Sequence, residues 1–243
     1  MGWLFGNKKE VDFSYIKTDI HSHLIPGIDD GAASMRESVY LIRGLYELGY
    51  KKLIITPHVR FGSFDNDTSE FDSRLEEVKQ ALVQEDIPME LSVGAEQTID
   101  EGFPEQFRRG KLKHFGKNKS LLIEFPFNDM PIRIKDTIFE LQSAGYNLIL
   151  AHPERYFHLM NDEKMIDYLH DSGVLFQMNI LSLVDFYDKI TRKFAQWLIK
   201  KDYIDLVGTD LHHKVHLEGI RKAKTDKYLY ELTESGRLMN SMF

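Results

Sequence analysis

Residues 16–58 read IKTDIHSHLIPGIDDGAASMRESVYLIRGLYELGYKKLIITPH. The run Ile16–Ile20 is short, apolar and branched, and it leads straight into a His-x-His pair. Ser34 with Glu37 forms a capping box that opens a helix to about Leu48, where Gly49 provides the stop. A second branched run, Lys52–Thr56, follows at once. Strand, capped helix and strand in this order make a βαβ unit, the connection that parallel strands need. The alternation continues with apolar runs at Leu91–Ala95, Leu121–Phe125, Asn147–Ala151, Val174–Met178 and Ile204–Gly208. Helical stretches at Ser69–Val83, Arg133–Ser143, Glu163–Ser172, Lys189–Lys201 and from Leu217 onward separate most of them. Each run is as uniformly apolar as a strand covered on both faces requires, so the fold class is α/β with parallel strands.

No repeat, low-complexity stretch or Pro/Gly-rich linker divides the 243 residues. Residues 1–243 are expected to form one domain, with 1–15 an N-terminal extension whose Trp3, Leu4 and Phe5 strap the body. Apolar residues at 42% and charged residues at 28% exclude disorder and fibre. No window approaches the ~18 apolar residues of a membrane span, and Met1 to Glu10 has no leader-like apolar core, so a cytoplasmic protein is expected. The formal charge of -7, without a long basic run, lacks the stripe that nucleic acid requires. With no cysteine at all, disulfides, thiolate zinc sites, iron–sulfur clusters and thiol nucleophiles are excluded. The chemistry left to this chain belongs to imidazoles and carboxylates.

Those groups stand where apolar runs end. His21 and His23 follow the first run, His58 the second, Glu96 the third, Glu124 closes the fourth, His152 follows the fifth, and Asp210 and His212 the seventh. In parallel α/β architectures that edge binds ligands, so residues distant in sequence converge there. The i, i+2 spacing of His21 and His23 places both rings on one side of extended backbone, able to share an ion. Glu96 and Glu124 end buried strands, where a carboxylate needs a metal or an arginine partner. In Asp29-Asp30-Gly31, one acid suits a turn and the other a ligand. Asp65-Asn66-Asp67 lacks a preceding strand and reads as a loop, with Ser69 the cap of the next helix. His114, His158, His170 and His216 lie in polar or helical stretches and are read as non-chemical, and His213 is left open.

Taken together, Asp19-Ile-His21-Ser-His23, Asp29-Asp30-Gly31, Thr56-Pro57-His58, Gly94-Ala95-Glu96, Ile123-Glu124-Phe125, Ala151-His152-Pro153-Glu154-Arg155-Tyr156 and Thr209-Asp210-Leu211-His212 resemble the polymerase-and-histidinol-phosphatase (PHP) superfamily. Within it they resemble the bacterial tyrosine-protein phosphatases of capsule and exopolysaccharide operons, the CpsB/YwqE type. The resemblance runs in unbroken order from about Lys17 to about His212. It implies a distorted (β/α)7 TIM-like barrel. It implies three divalent ions, Mn²⁺ favoured over Fe²⁺, Zn²⁺ or Mg²⁺, held by His21, His23, Asp30, His58, Glu96, Glu124, His152, Asp210 and His212. It further implies Arg155 as a phosphate contact, and a phosphotyrosine protein as substrate, a bacterial tyrosine kinase of polysaccharide synthesis.

Three such ions against four carboxylates leave roughly +2, matched to a phosphomonoester dianion. Ion-bound water can ionise with a pKa as low as ~7, so such ions would supply a metal-activated hydroxide able to attack in line, with no phosphoenzyme needed. Asp210 is a candidate proton source, and Phe61, Phe64, Tyr156, Phe157, Phe186 and Tyr187 are candidates for a ring-binding rim. The chain departs from the family where a second arginine follows the last histidine: here Lys214 stands nearest, and Arg221 is the nearest guanidinium. A small-molecule phosphatase such as histidinol-phosphate phosphatase would use the same ligands. A silent metal-binding partner of the export machinery would keep them without turnover.

Overall fold

The computed structural model describes residues 9–243, so Trp3, Leu4 and Phe5 lie outside the described residues. The elements in chain order are β1 (Thr18–Asp19), α1 (Met35–Leu48), β2 (Lys52–Ile55), β3 (His58–Val59), α2 (Phe71–Gln84), β4 (Glu90–Val93), β5 (Glu96–Thr98), α3 (Phe103–Arg108), β6 (Ser120–Glu124), α4 (Ile134–Ser143), β7 (Asn147–Ala151), α5 (Glu163–Asp171), β8 (Leu175–Asn179), α6 (Lys189–Lys200), β9 (Leu206–Gly208), α7 (Lys214–Ala223) and α8 (Lys227–Glu234). Every strand pairing is parallel, in the orders β1-β2-β4 and β3-β5-β6-β7-β8-β9.

Two chain runs contribute a strand to each sheet in turn. Pro57 cannot donate to a ladder and interrupts β2 before β3, while Gly94-Ala95 interrupts β4 before β5. Backbone bonds cross the break: Gly94 N–H reaches the Ile55 carbonyl (2.9 Å) and Glu96 N–H the Pro57 carbonyl (3.0 Å). The first and last runs also meet. Asp210 N–H donates to the His21 carbonyl at 2.8 Å, His23 N–H to the Leu211 carbonyl at 3.0 Å, and Ser22 bridges Leu211 in parallel.

The helices form where caps and apolar stripes direct. Ser34 accepts the Glu37 N–H at the start of α1, and Gly49, at φ 115°, ends it in a conformation that other residues rarely adopt. Leu41, Ile42 and Leu45 of α1 and Phe194, Ala195, Leu198 and Ile199 of α6 are buried in the main apolar core, each large side chain contributing about 1.5–3 kcal/mol by burial. A separate apolar cluster of Ile20, Ile54, Phe115, Leu122, Ile149 and Leu206 fills the strands' other face. Below it, the buried Asn240 amide donates to the Thr18 (2.9 Å) and Val207 (2.7 Å) carbonyls, tying the C-terminus to β1 and β9. Among the described residues no helix is long and apolar enough to cross a membrane.

Local expectations fail in five places. β3, β5 and α3 are additional elements. The turn before α2 is capped by Asp67, whose carboxylate accepts the Ser69 N–H, rather than by Ser69. α7 begins at Lys214, before Leu217.

Candidate metal centre

All nine expected ligands arrive at one place, the carboxyl ends of the strand runs. Their donor atoms fall into four overlapping groups, each within 4.8 Å: His23, Asp30, His58 and His212; His21, His23 and Glu96; His21, His152 and Asp210; His58, Glu96 and Glu124. Two of the nine leave their strands through left-handed backbone, His152 at φ 33° and Asp210 at φ 48°. Such conformations cost of order 1–3 kcal/mol each and turn the side chains inward.

The hydrogen bonds around the cluster decide which nitrogens face it. His21 donates Nδ1–H to Gln177 Oε1 (2.7 Å), His23 to Asp29 Oδ2 (2.8 Å), and His212 to the Asp210 carbonyl (2.9 Å). In the neutral ring each Nε2 is then the lone pair and is aimed inward, the tautomer that metal-binding histidines hold. The His21 and His23 Nε2 atoms lie 3.2 Å apart, with Asp210 Oδ1 at 3.4 and 3.3 Å and Glu96 Oε2 at 3.3 and 3.5 Å. Lone pairs and carboxylate oxygens so close repel unless a cation lies among them. Glu96 Oε2 has no hydrogen-bond partner although it is fully buried, and His58 Nδ1, 2.9 Å away, is not aligned to donate to it. The donors are nitrogen and oxygen only, which suits Mn²⁺, Fe²⁺, Zn²⁺ or Mg²⁺. The residues present thus fit divalent ions.

Without ions, protons take their place. Burial alone would lower the His21 pKa, but Glu96 and Asp210 raise it to about 10; His58 is likewise raised to about 9, chiefly by Glu96. Burial would raise Asp210, yet His21, His212 and Arg155 hold it well below the usual carboxylate range. That environment suits an anionic ligand and disfavours the proton-donor role expected of it. Of the Asp-Asp pair, Asp30 is exposed and faces His58 (3.5 Å) and His212 (3.4 Å). Asp29 is more than a turn residue: it orients His23 and accepts the His58 N–H at 3.1 Å. A Cβ at Gly31 would collide with the His23 carbonyl, so only glycine lets this loop pack there.

The cluster opens into a cavity of about 280 Å³ lined by two arginines. Arg155 lies between the Phe127 and Tyr187 rings, 4.8 Å from each centroid, and donates to Asp210 Oδ2 at 3.0 Å. Arg60 donates to Glu124 Oε2 at 2.6 Å, so that carboxylate has the arginine partner weighed for it while its Oε1 faces His152 at 3.9 Å. Arg60 was missed in the sequence, although its i, i+2 spacing from His58 puts both on one face of extended backbone. Lys214, the expected substitute, turns to the Tyr40 ring, and Arg221 pairs with Glu47 and Glu218. His213, left open, and His216, read as non-chemical, both line the cavity; the His216 Nδ1 accepts the His212 N–H at 3.3 Å. Of the aromatic candidates, Tyr187 lines the cavity and Phe64 stacks on His58, whereas Tyr156 is fully buried with its hydroxyl accepting the Phe125 N–H. His170 sits apart, near Asp205.

Parallel strands that gather imidazoles and carboxylates at their carboxyl edge, beneath two guanidinia, define an α/β protein with a candidate multi-metal centre open to an anionic ligand. The family described as capsular polysaccharide synthesis, CpsB/CapC, matches residues 17–229, and the chain belongs to it. The tyrosine-protein phosphatase YwqE of Bacillus subtilis is 28% identical over 229 residues, covering 91% of this chain and 90% of that protein. The tyrosine-protein phosphatase CpsB of Streptococcus pneumoniae is 26% identical over 200 residues, covering 80% and 82%. A crystal structure from work on B. subtilis YwqE and S. pneumoniae CpsB, described as unique metal-dependent tyrosine phosphatases, superposes with a TM-score of 0.78 at 27% identity over 92% of this chain and 94% of that one. Histidinol phosphate phosphatase of Lactococcus lactis shares the fold at a TM-score of 0.52 and 14% identity, covering 86% and 94%.

Proposed function

We propose that this chain is a metal-dependent protein-tyrosine phosphatase, a single domain whose seven strand runs close into a distorted (β/α)7 barrel around three divalent ions. The observation that carries the reading is the set of lone pairs and carboxylate oxygens converging beneath a cavity with two guanidinia. His21, His23, Asp30, His58, Glu96, Glu124, His152, Asp210 and His212 hold the ions, with Mn²⁺ favoured. When bound, such ions supply Lewis acidity and water ionised near neutral pH. Gln177 and Asp29 hold His21 and His23 in the ligating tautomer. Arg155, kept in place by Phe127, Tyr187 and Asp210, binds the phosphate and meets charge developing on its oxygens. Arg60 neutralises Glu124 in the wall of the same cavity. A tyrosinate leaving group, with a pKa near ~10, needs less proton assistance than an alkoxide.

The names of the relatives support a phosphotyrosine protein as substrate, and the family description supports a place in capsule synthesis. The substrate proposed is a bacterial tyrosine kinase, acted on in the cytoplasm. Turnover of a phosphotyrosyl peptide, a phosphoseryl peptide and histidinol phosphate by the manganese-loaded protein tests the reading. The phosphotyrosyl peptide should be preferred by kcat/KM; preference for histidinol phosphate would replace the proposal with a small-molecule phosphatase.

A further inference from the structure

Beside the candidate metal centre lies a second and larger cavity, a trench of about 900 Å³. Arg60 and Phe127 line both cavities, so the two adjoin at this pair. The centre's own cavity, about 280 Å³, falls just below the roughly 300–1,000 Å³ typical of sites for drug-sized ligands. It has room for one phosphorylated side chain and none for a length of polypeptide, so chain flanking a phosphotyrosine has to lie outside. The trench is the adjoining space.

Its surface has a definite chemistry. Phe61 and Ile132 line it although 54% and 90% exposed, large apolar groups held in water at the edge of a site. Glu101 and Asp129 also line it, are exposed, and form no ion pair among the described residues. Asp100 is different, since its carboxylate accepts the Phe61, Gly102 and Phe103 N–H groups and is spent on its own loop. No lysine lines the trench, and the one arginine, Arg60, is engaged by Glu124. The trench is thus apolar with uncompensated negative charge, next to a cavity that bears two guanidinia.

We propose that this trench seats the polypeptide carrying the phosphotyrosine, and that it favours segments with an apolar residue and a lysine or arginine beside that tyrosine. The proposal rests on the phosphatase reading above and adds to it the kind of sequence acted on. Opposite charge preferences in adjoining cavities fix the direction of binding: the phosphate dianion goes to Arg155, the flanking cation to Glu101 and Asp129. Acidic flanks are repelled.

The probes are p-nitrophenyl phosphate, which has no flanks, and two synthetic phosphotyrosyl peptides that differ only in carrying arginine or glutamate beside a leucine next to the tyrosine. Wild-type protein should favour the arginine peptide in kcat/KM by roughly three- to tenfold, the scale of two exposed ion pairs. The double variant Glu101→Lys/Asp129→Lys should reverse that order while p-nitrophenyl phosphate turnover stays at the wild-type rate, which also shows the fold intact. Ile132→Ser should raise KM for both peptides and leave p-nitrophenyl phosphate unchanged. Equal use of both peptides by wild type, or an order unmoved by the double charge reversal, overturns the proposal while leaving the phosphatase reading in place. Failure of all three probes overturns the phosphatase reading, and the proposal with it.

Discussion

Replacing Arg155 by alanine separates recognition of the phosphate from retention of the ions. The guanidinium spends one N–H on Asp210 and faces the cavity with the rest of its fork. A preorganised donor aimed at charge that develops in the transition state is worth ~3–4 kcal/mol, or roughly 10²–10³ in rate. Asp210 keeps the Asn179 amide at 2.7 Å and its imidazole neighbours, so the ligand should stay in place when Arg155 is gone. Arg155→Ala should therefore lower kcat/KM on p-nitrophenyl phosphate by about 10²–10³, with metal content by elemental analysis equal to wild type. Arg155→Lys restores the charge without the planar fork or the stack between Phe127 and Tyr187, and should recover only part of the loss. Unchanged kcat/KM with full metal content would refute the phosphate-binding role. Loss of ions would move that role to the positioning of Asp210.

Glu96→Gln and His152→Ala should each lose at least one ion and several orders of magnitude in kcat with the fold kept, while His170→Ala, whose nearest charged group is Asp205 at 3.8 Å, should behave as wild type; full metal content in both ligand variants would contradict their assignment. Arg60→Ala leaves Glu124, 1% exposed, without its cationic partner, and should cost about 1–3 kcal/mol in metal-stripped protein. An ion at His58, Glu96 and Glu124 would offset part of that, so the Tm loss should shrink on loading; equal losses would place no ion there. Because carboxylates raise His21 to about 10 and His58 to about 9, both are protonated in metal-stripped protein at neutral pH. Ions must displace those protons, so metal affinity should rise with pH below these values, and calorimetry in buffers of different ionisation enthalpy should detect proton release. Binding without proton release at pH 7 would contradict the protonation states.

The seven apolar runs and the imidazoles and carboxylates at their ends are legible in the sequence because buried parallel strands leave a continuous signal and these residues fall just past it. β3 and β5 leave no such signal: they are two and three residues long and lie beyond Pro57 and Gly94-Ala95, where a local reading ends the strand. The contact between first and last runs, Asp210 to His21, is long-range and has no local signature. His216 depends on where α7 starts. With the helix opening at Lys214, it falls close enough to accept the His212 N–H. Arg60 was within reach, since its alternation with His58 is the same argument that paired His21 with His23. The stack of Phe127 and Tyr187 on Arg155 joins three loops, and only the fold brings them together.

The central claim, that these imidazoles and carboxylates form a hydrolytic metal centre, is tested most directly by stripping the purified protein with a chelator and returning Mn²⁺ in steps, with bound metal and phosphotyrosyl-peptide turnover measured on each sample. The account predicts no turnover in the stripped protein, recovery that tracks bound metal towards three ions per chain, and no effect of thiol reagents at any point, since the chain has no cysteine. Full turnover in a sample with no detectable bound metal would contradict it.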